Sequence, residues 1–159
     1  MQVYELARKH LEFDLVWFMG VFYHLRYPLP ALDIIARKMK RLMVFQTMTM
    51  PEEEVSVQPQ DIDINQRNLM LSAGWPKLAF IEYRLSGDPT NWWAPNRSAV
   101  EAMLRSCGFD IVHRPAHETY ICRPGDSDYI GMVELIEREL RASAGTTPVT
   151  GKEIREEAS

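Results

Sequence analysis

The chain is poor in the residues that announce most site chemistries. Of its 159 residues only two are cysteine, Cys107 and Cys122, with no Cys-x-x-Cys and no His-x₃₋₅-His to complete a zinc set. No metal site is expected on that pattern, and the two thiols read as reduced, mostly buried side chains. Basic charge is scarce as well: 18 Lys and Arg stand against 22 Asp and Glu, for a net charge of −4. A general polyanion binder carries a basic face, so DNA is not an expected partner. No apolar run reaches the ~20 residues of a membrane span. The segment Tyr4-Glu5-Leu6-Ala7-Arg8-Lys9-His10 lacks the apolar stretch of a secretory signal. The expectation is a cytoplasmic protein with no membrane partner. Glycine-rich phosphate loops are missing too, with neither GxGxxG nor GxxxxGK[ST] present.

The residues that remain describe an ordinary globular domain, 46% hydrophobic and 25% charged, with enough apolar material for one core. Residues 2–12 are helical in character. Residues 13–19, Phe-Asp-Leu-Val-Trp-Phe-Met, are nearly continuously apolar, which predicts a strand buried on both faces. Pro28 and Pro30 open an amphipathic helix in which Leu29, Leu32, Ile35 or Ala36, and Met39 recur at helical spacing. A second apolar strand follows over 42–48, completing a strand–helix–strand unit.

The 51–95 segment interrupts this pattern. It opens on Pro51 and Glu52-Glu53-Glu54, which read as a solvated turn. A short helical piece is expected near 63–72, and 78–83 reads equally as strand or loop. The stretch Gly87-Asp-Pro-Thr-Asn-Trp-Trp-Ala-Pro-Asn96 is rich in turn formers and aromatics, and long insertions of this kind are commonly functional. Asn96 can cap a helix running to Cys107, with Gly108 as its terminator. Two antiparallel strands are expected at 109–113 and 118–122, joined through a tight connection containing Pro115, and a last helix over about 128–142. The domain is read as 1–143, with 144–159 as a disordered tail.

In open α/β sheets ligands bind outside the carboxyl ends of the strands. That places the sequence after Met19, Gly20-Val-Phe-Tyr-His24 with Arg26, at the expected site. His24 reads as a general base, as a hydrogen-bonding partner of a substrate, or as a histidine satisfied by backbone. Arg26 reads as an anion-binding group or a solvated charge. Trp92 and Trp93 can stack on a ring, cap a pocket, or pack the insertion onto the domain. Asn96 reads as a helix cap or a substrate ligand.

The residues Phe13-Asp-Leu-Val-Trp-Phe-Met-Gly-Val-Phe-Tyr-His24, followed by Arg26 and Pro28-Leu29, resemble the fourth-strand motif of the tRNA (mo5U34) methyltransferase family. Trp93-Ala-Pro-Asn96 and Leu104-Arg-Ser-Cys-Gly-Phe109 are similar to later motifs of the same family and of its uncharacterised relatives. The resemblance covers roughly 2–124. It implies the C-terminal half of a class I methyltransferase: an α/β, Rossmann-like sheet of two parallel strands and then an antiparallel pair, with flanking helices and the 51–95 insertion. It implies S-adenosyl-L-methionine as cofactor and a small-molecule, glycan or RNA nucleoside as methyl acceptor. Carried over residue by residue, it places Tyr4, Glu5, Met19, Gly20 and Tyr23 at the cofactor.

Two departures accompany the resemblance. The family's glycine-rich loop has no counterpart before residue 13, so the domain is expected to lack its first three strands and to belong to a longer chain. The arginine that holds a carboxylated cofactor in some members corresponds to a position near His117, which favours the ordinary cofactor. The strand at 13–19 would then have an unpaired edge, through which self-association is expected. The alternative reading is a truncated, non-catalytic remnant or interaction module.

Overall fold

The computed structural model describes residues 2–125 and 132–144. A 3₁₀ helix, Val3–Arg8, leads into β1 (Phe13–Met19), a 3₁₀ turn (Phe22–His24), α1 (Pro28–Lys38) and β2 (Met39–Gln46). A second 3₁₀ helix, Ile64–Leu71, and the short strands β3 (Leu78–Phe80) and β4 (Trp93–Pro95) make up the insertion. Then follow α2 (Arg97–Ser106), β5 (Phe109–Ala116), β6 (Thr119–Pro124) and α3 (Val133–Ala144). The main sheet has the order β1-β2-β6-β5, and β3 pairs with β4 separately. β1 and β2 are parallel, while β6 is antiparallel to both β2 and β5. This is the mixed α/β sheet expected from the sequence.

The core is built from the register. Phe18 lies opposite Phe45 and Phe45 opposite Tyr120; one pair along, Val16, Met43 and Cys122 form a second row on the same face. Leu32 and Ile35 of α1, and Val100 and Leu104 of α2, cover these rows. Phe45 is the hub: its ring sits 6.0 Å from Phe18, 5.5 Å from Phe22 and 6.2 Å from Tyr120.

Several expectations need correction. β1 is not buried on both faces. Leu15 and Trp17, on the face opposite Phe18, are 56% and 68% exposed, because the helices pack on one side and β1 forms an edge of the sheet. A run of apolar residues reports that a strand is apolar, not which of its faces is covered. β2 starts three residues earlier than expected, since Met39 leaves the helix and pairs with Phe13. Lys40 therefore belongs to a strand, where its ammonium meets Glu12 at 2.6 Å. Pro115 sits inside β5 rather than in the connection, next to a register shift. A proline is tolerated there because β5 is the other edge strand. The last helix is described over Val133–Ala144; the part expected at 128–131 lies outside the described residues, as does 145–159 of the tail.

Replacing Phe45 with alanine removes the ring on which three other aromatics pack. We expect Phe45→Ala to cost about 3–5 kcal/mol, read as a lower urea midpoint at unchanged slope.

Candidate functional site

The site forms where β1 runs out. Gly20 turns the chain at φ +68°, a left-handed conformation that side chains resist. Its amide is 3.2 Å from the Gln46 carbonyl and 2.9 Å from Gln46 Oε1. Gln46 in turn donates to Glu118 Oε2 at 3.2 Å, while Glu118 Oε1 accepts from the Thr49 amide at 2.7 Å. A polar chain thus closes the end of the sheet. Phe22 is fully buried, edge-on to Phe45, and it anchors the 3₁₀ turn so that its neighbours Tyr23 and His24 stay half-buried at the rim. Their rings lie 4.3 Å apart.

The insertion is brought to this rim by two devices. The first is a polar knot around Asn96, whose side chain is fully buried at the start of α2. Its Oδ1 accepts from Ala99 N at 2.9 Å and Lys77 N at 3.0 Å; its Nδ2 donates to Glu52 Oε2 at 2.9 Å and to the Trp75 carbonyl at 2.7 Å. Glu52 also accepts from the Gly74 amide at 3.0 Å and from Lys77 Nζ at 3.2 Å. Gly74 cannot be replaced freely, because a Cβ there would fall 2.8 Å from Ser56 N. The second device is the β3–β4 ribbon, which sets Phe80 opposite Trp93. From it, Trp92 N donates to the Tyr23 carbonyl at 2.9 Å and Trp93 Nε1 to the Arg26 carbonyl at 3.3 Å.

Arg26 and His24 are both engaged by this docked segment. The Arg26 guanidinium lies over the Trp92 ring at 4.4 Å and the Phe80 ring at 5.2 Å. A guanidinium meets a ring through its cationic centre, while its N–H donors lie in its own plane and point outward. His24 Nδ1 is 2.9 Å from Thr90 Oγ1 and 3.3 Å from the Thr90 carbonyl, with Asp88 Oδ2 at 3.9 Å. Asp88 Oδ1 accepts from both the amide and the hydroxyl of Thr90 at 2.7 Å. These bonds hold the Asp88 carboxyl below the usual carboxylate range, the backbone bond contributing most.

Of the residues singled out in the sequence, the structure gathers Met19, Gly20, Tyr23, His24, Arg26, Trp92 and Trp93 along one rim. It does not bring all of them there. Tyr4 packs against the core and donates its hydroxyl to the Tyr27 carbonyl at 2.9 Å, and Glu5 is exposed on the first 3₁₀ helix. Asn96 spends both donors and its acceptor oxygen inside the fold, so its reading as a substrate ligand is corrected: it is a cap and a knot. Glu52 is corrected likewise, since it is a pinned acceptor rather than a solvated turn residue. Glu53 pairs with Arg114 at 2.9 Å and His117 at 2.5 Å, tying the start of the insertion to the β5–β6 hairpin. The cysteines are unpaired; Cys122 is buried, and desolvation lifts its thiol to about 12.

Asp88, Thr90, Phe80, Gln46 and Glu118 escaped the sequence reading. Asp88-Pro-Thr90 carries the local signal of a side-chain-capped turn. Nothing local indicates that this turn faces a histidine 66 positions away.

No protein-family model matches the sequence, and no curated protein matches it. Solved structures do. The N-terminal domain of EvdMO1, in the presence of SAH and D-fucose, is 16% identical at a TM-score of 0.41, over 74% of this chain and 48% of that one. Magnesium protoporphyrin IX methyltransferase (ChlM) from Synechocystis PCC 6803, with bound SAH, is 12% identical at a TM-score of 0.41, over 76% of this chain and 48% of that one. The chain thus spans about half the length of these structures. Likenesses this distant carry no weight for substrate or cofactor.

The knot makes an acid-stability prediction. The Glu52 carboxyl titrates at about 2 against an ordinary 4.5, because the Gly74 amide, then Asn96 and Lys77, donate to it. A carboxyl with a depressed folded value contributes stability that is fully present above its unfolded value and is lost as pH falls through the folded one. Acidification from 4.5 towards 2 should therefore lower the urea midpoint. Glu52→Gln should lower the midpoint at neutral pH and flatten its fall over that range.

Proposed function

We propose that this chain contributes the cofactor wall and acceptor rim of an S-adenosyl-L-methionine-dependent methyltransferase. The observation that carries this reading is the convergence of Met19, Gly20, Tyr23 and His24 with the Arg26–Trp92 stack at the carboxyl end of β1, where the motif resemblance also points. The residues present fit one wall of such a site. A Cβ added at Gly20 would meet only the Tyr23 hydroxyl, at 3.9 Å, so the strand end is open to a ligand. Met19 and Tyr23 supply the polarisable and aromatic surfaces that an adenosyl group favours. When bound, this cofactor supplies an electrophilic methyl group on a sulfonium.

The chain's own residues would do the rest. The docked 88–93 segment would exclude water from the rim, and alignment is the main requirement of such a transfer. Arg26 would orient an anionic or strongly polar acceptor through its in-plane donors. Trp92 would present a ring edge to it. His24 would take the proton of an acceptor hydroxyl. The acceptor class read from the resemblance is a small molecule, a glycan or an RNA nucleoside.

Calorimetric titration tests this directly. S-adenosylhomocysteine should bind the 159-residue chain. Tyr23→Ala should weaken binding about tenfold, or about 1.4 kcal/mol. No heat at millimolar ligand would overturn cofactor binding by this chain on its own.

A second reading is favoured by a separate observation. A cleft of about 410 Å³ runs along the free side of β1, and residues from both faces of the strand line it, Leu15 and Trp17 from one and Val16 and Phe18 from the other. A groove shared by both faces lies along the strand's edge. This edge is the place where the chain would self-associate. Sedimentation velocity should then show a concentration-dependent dimer that Trp17→Lys abolishes; a monomer at all concentrations would remove this reading.

A further inference from the structure

The three residues His24, Thr90 and Asp88 form a directed hydrogen-bond relay. Thr90 Oγ1 stands 2.7 Å from Asp88 Oδ1. Two oxygens that close, one of them a carboxylate, need a proton between them, and the only one available is the threonine's. Its hydroxyl proton is therefore spent on Asp88. Towards His24 Nδ1, at 2.9 Å, the same oxygen can only accept. The second group near Nδ1 is the Thr90 carbonyl at 3.3 Å, which also only accepts. Asp88 Oδ2, at 3.9 Å, is a third acceptor on the same side. All three neighbours thus demand that Nδ1 carry the proton.

We propose that Asp88 and Thr90 are positioning residues that lock His24 in its Nδ1–H form and so present Nε2 as a bare proton acceptor. The inference rests on the reading of His24 as a base and names the two groups that would make it one. The consequence is chemical. Free histidine favours the opposite tautomer, with the proton on Nε2, so an unconstrained ring would offer Nδ1 as its base. Here Nδ1 is turned into the insertion, and the imidazole is one-third exposed (33%), within reach of an acceptor. A proton arriving at Nε2 leaves an imidazolium whose Nδ1–H side faces the Asp88 carboxylate, which opposes the new charge. The two ends of the relay come from the β1 rim and from the insertion. The base would thus be assembled only when the insertion is docked.

The tautomer can be read without substrate. A long-range ¹H–¹⁵N correlation spectrum of the full chain, recorded well above the histidine titration range at about pH 8.5, separates pyrrole-type from pyridine-type ring nitrogens. His24→Gln identifies the His24 signals among those of the four histidines. Wild type should show pyrrole-type Nδ1 and pyridine-type Nε2. Asp88→Ala should reverse this, because the freed hydroxyl proton can now be donated to Nδ1. Thr90→Val should shift the ring towards Nε2–H, and Thr90→Ser should restore the wild-type pattern. A purely structural contact predicts no reversal in Asp88→Ala and no serine rescue. An Nε2–H tautomer in wild type, or one indifferent to Asp88→Ala, would overturn the proposal. S-adenosylhomocysteine binding is a separate readout: its failure alongside the expected tautomer would remove cofactor binding by this chain on its own while supporting the relay.

Discussion

The side chain of Asn96 is the constraint on which the arrangement of this molecule turns. It is buried without access to water, and a buried amide left unpaired is costly. Its requirements are met by Glu52 and Trp75 from the insertion, by Lys77 at the base of the β3–β4 ribbon, and by Ala99 in the first turn of α2. Satisfying one residue thus fixes where the insertion leaves and re-enters the domain. The ribbon that follows can then lay Trp92 and Trp93 against the turn after β1. Asn96 does not touch the rim, yet the rim's second side exists because of it.

The same logic separates the two halves of the site. One half is local: β1 ends, Gly20 turns left-handed, Phe22 plunges into the core beside Phe45, and Tyr23 and His24 are left at the surface. That half needs only neighbouring residues and the aromatic core beneath them. The other half arrives from the insertion and consists of backbone and indole donors, the Trp92 and Phe80 rings that meet the Arg26 guanidinium, and the Asp88–Thr90 turn. The polar chain from Gly20 through Gln46 to Glu118 closes the sheet end between the two. It gives the strand-end amide a fixed partner, so the left-handed turn is held from both sides.

Among the described residues, helices cover the sheet on one side only. Helices α1 and α2 pack on the Phe45 face, while Leu15 and Trp17 stand open on the other. A strand with an uncovered face and an unpaired edge is a surface that favours association. The rim adjoins this surface: Met19 ends β1, and Gly20, Tyr23 and His24 follow it directly. The proposed site would use the strand's end and the proposed association its side.

Much of this was legible in the chain itself, and the reason is locality. The bounds of β1 follow from an apolar run, the start of α1 from two prolines, the cap of α2 from an asparagine before a helical pattern, and the mixed sheet from the order of these elements. Met19, Gly20, Tyr23 and His24 are adjacent in sequence and remain adjacent in space. The tertiary structure decided what depends on long-range packing. It exposed one face of β1, because burial depends on which side the helices choose. It moved Glu52 and Asn96 from the list of surface and ligand residues into the fold, because their partners lie 19 to 44 positions away. It turned His24 towards Thr90, 66 positions on. Spacing along a chain encodes what neighbours do to one another. It does not encode which distant hydrogen-bonding groups will be buried together, and those groups built the second half of this site.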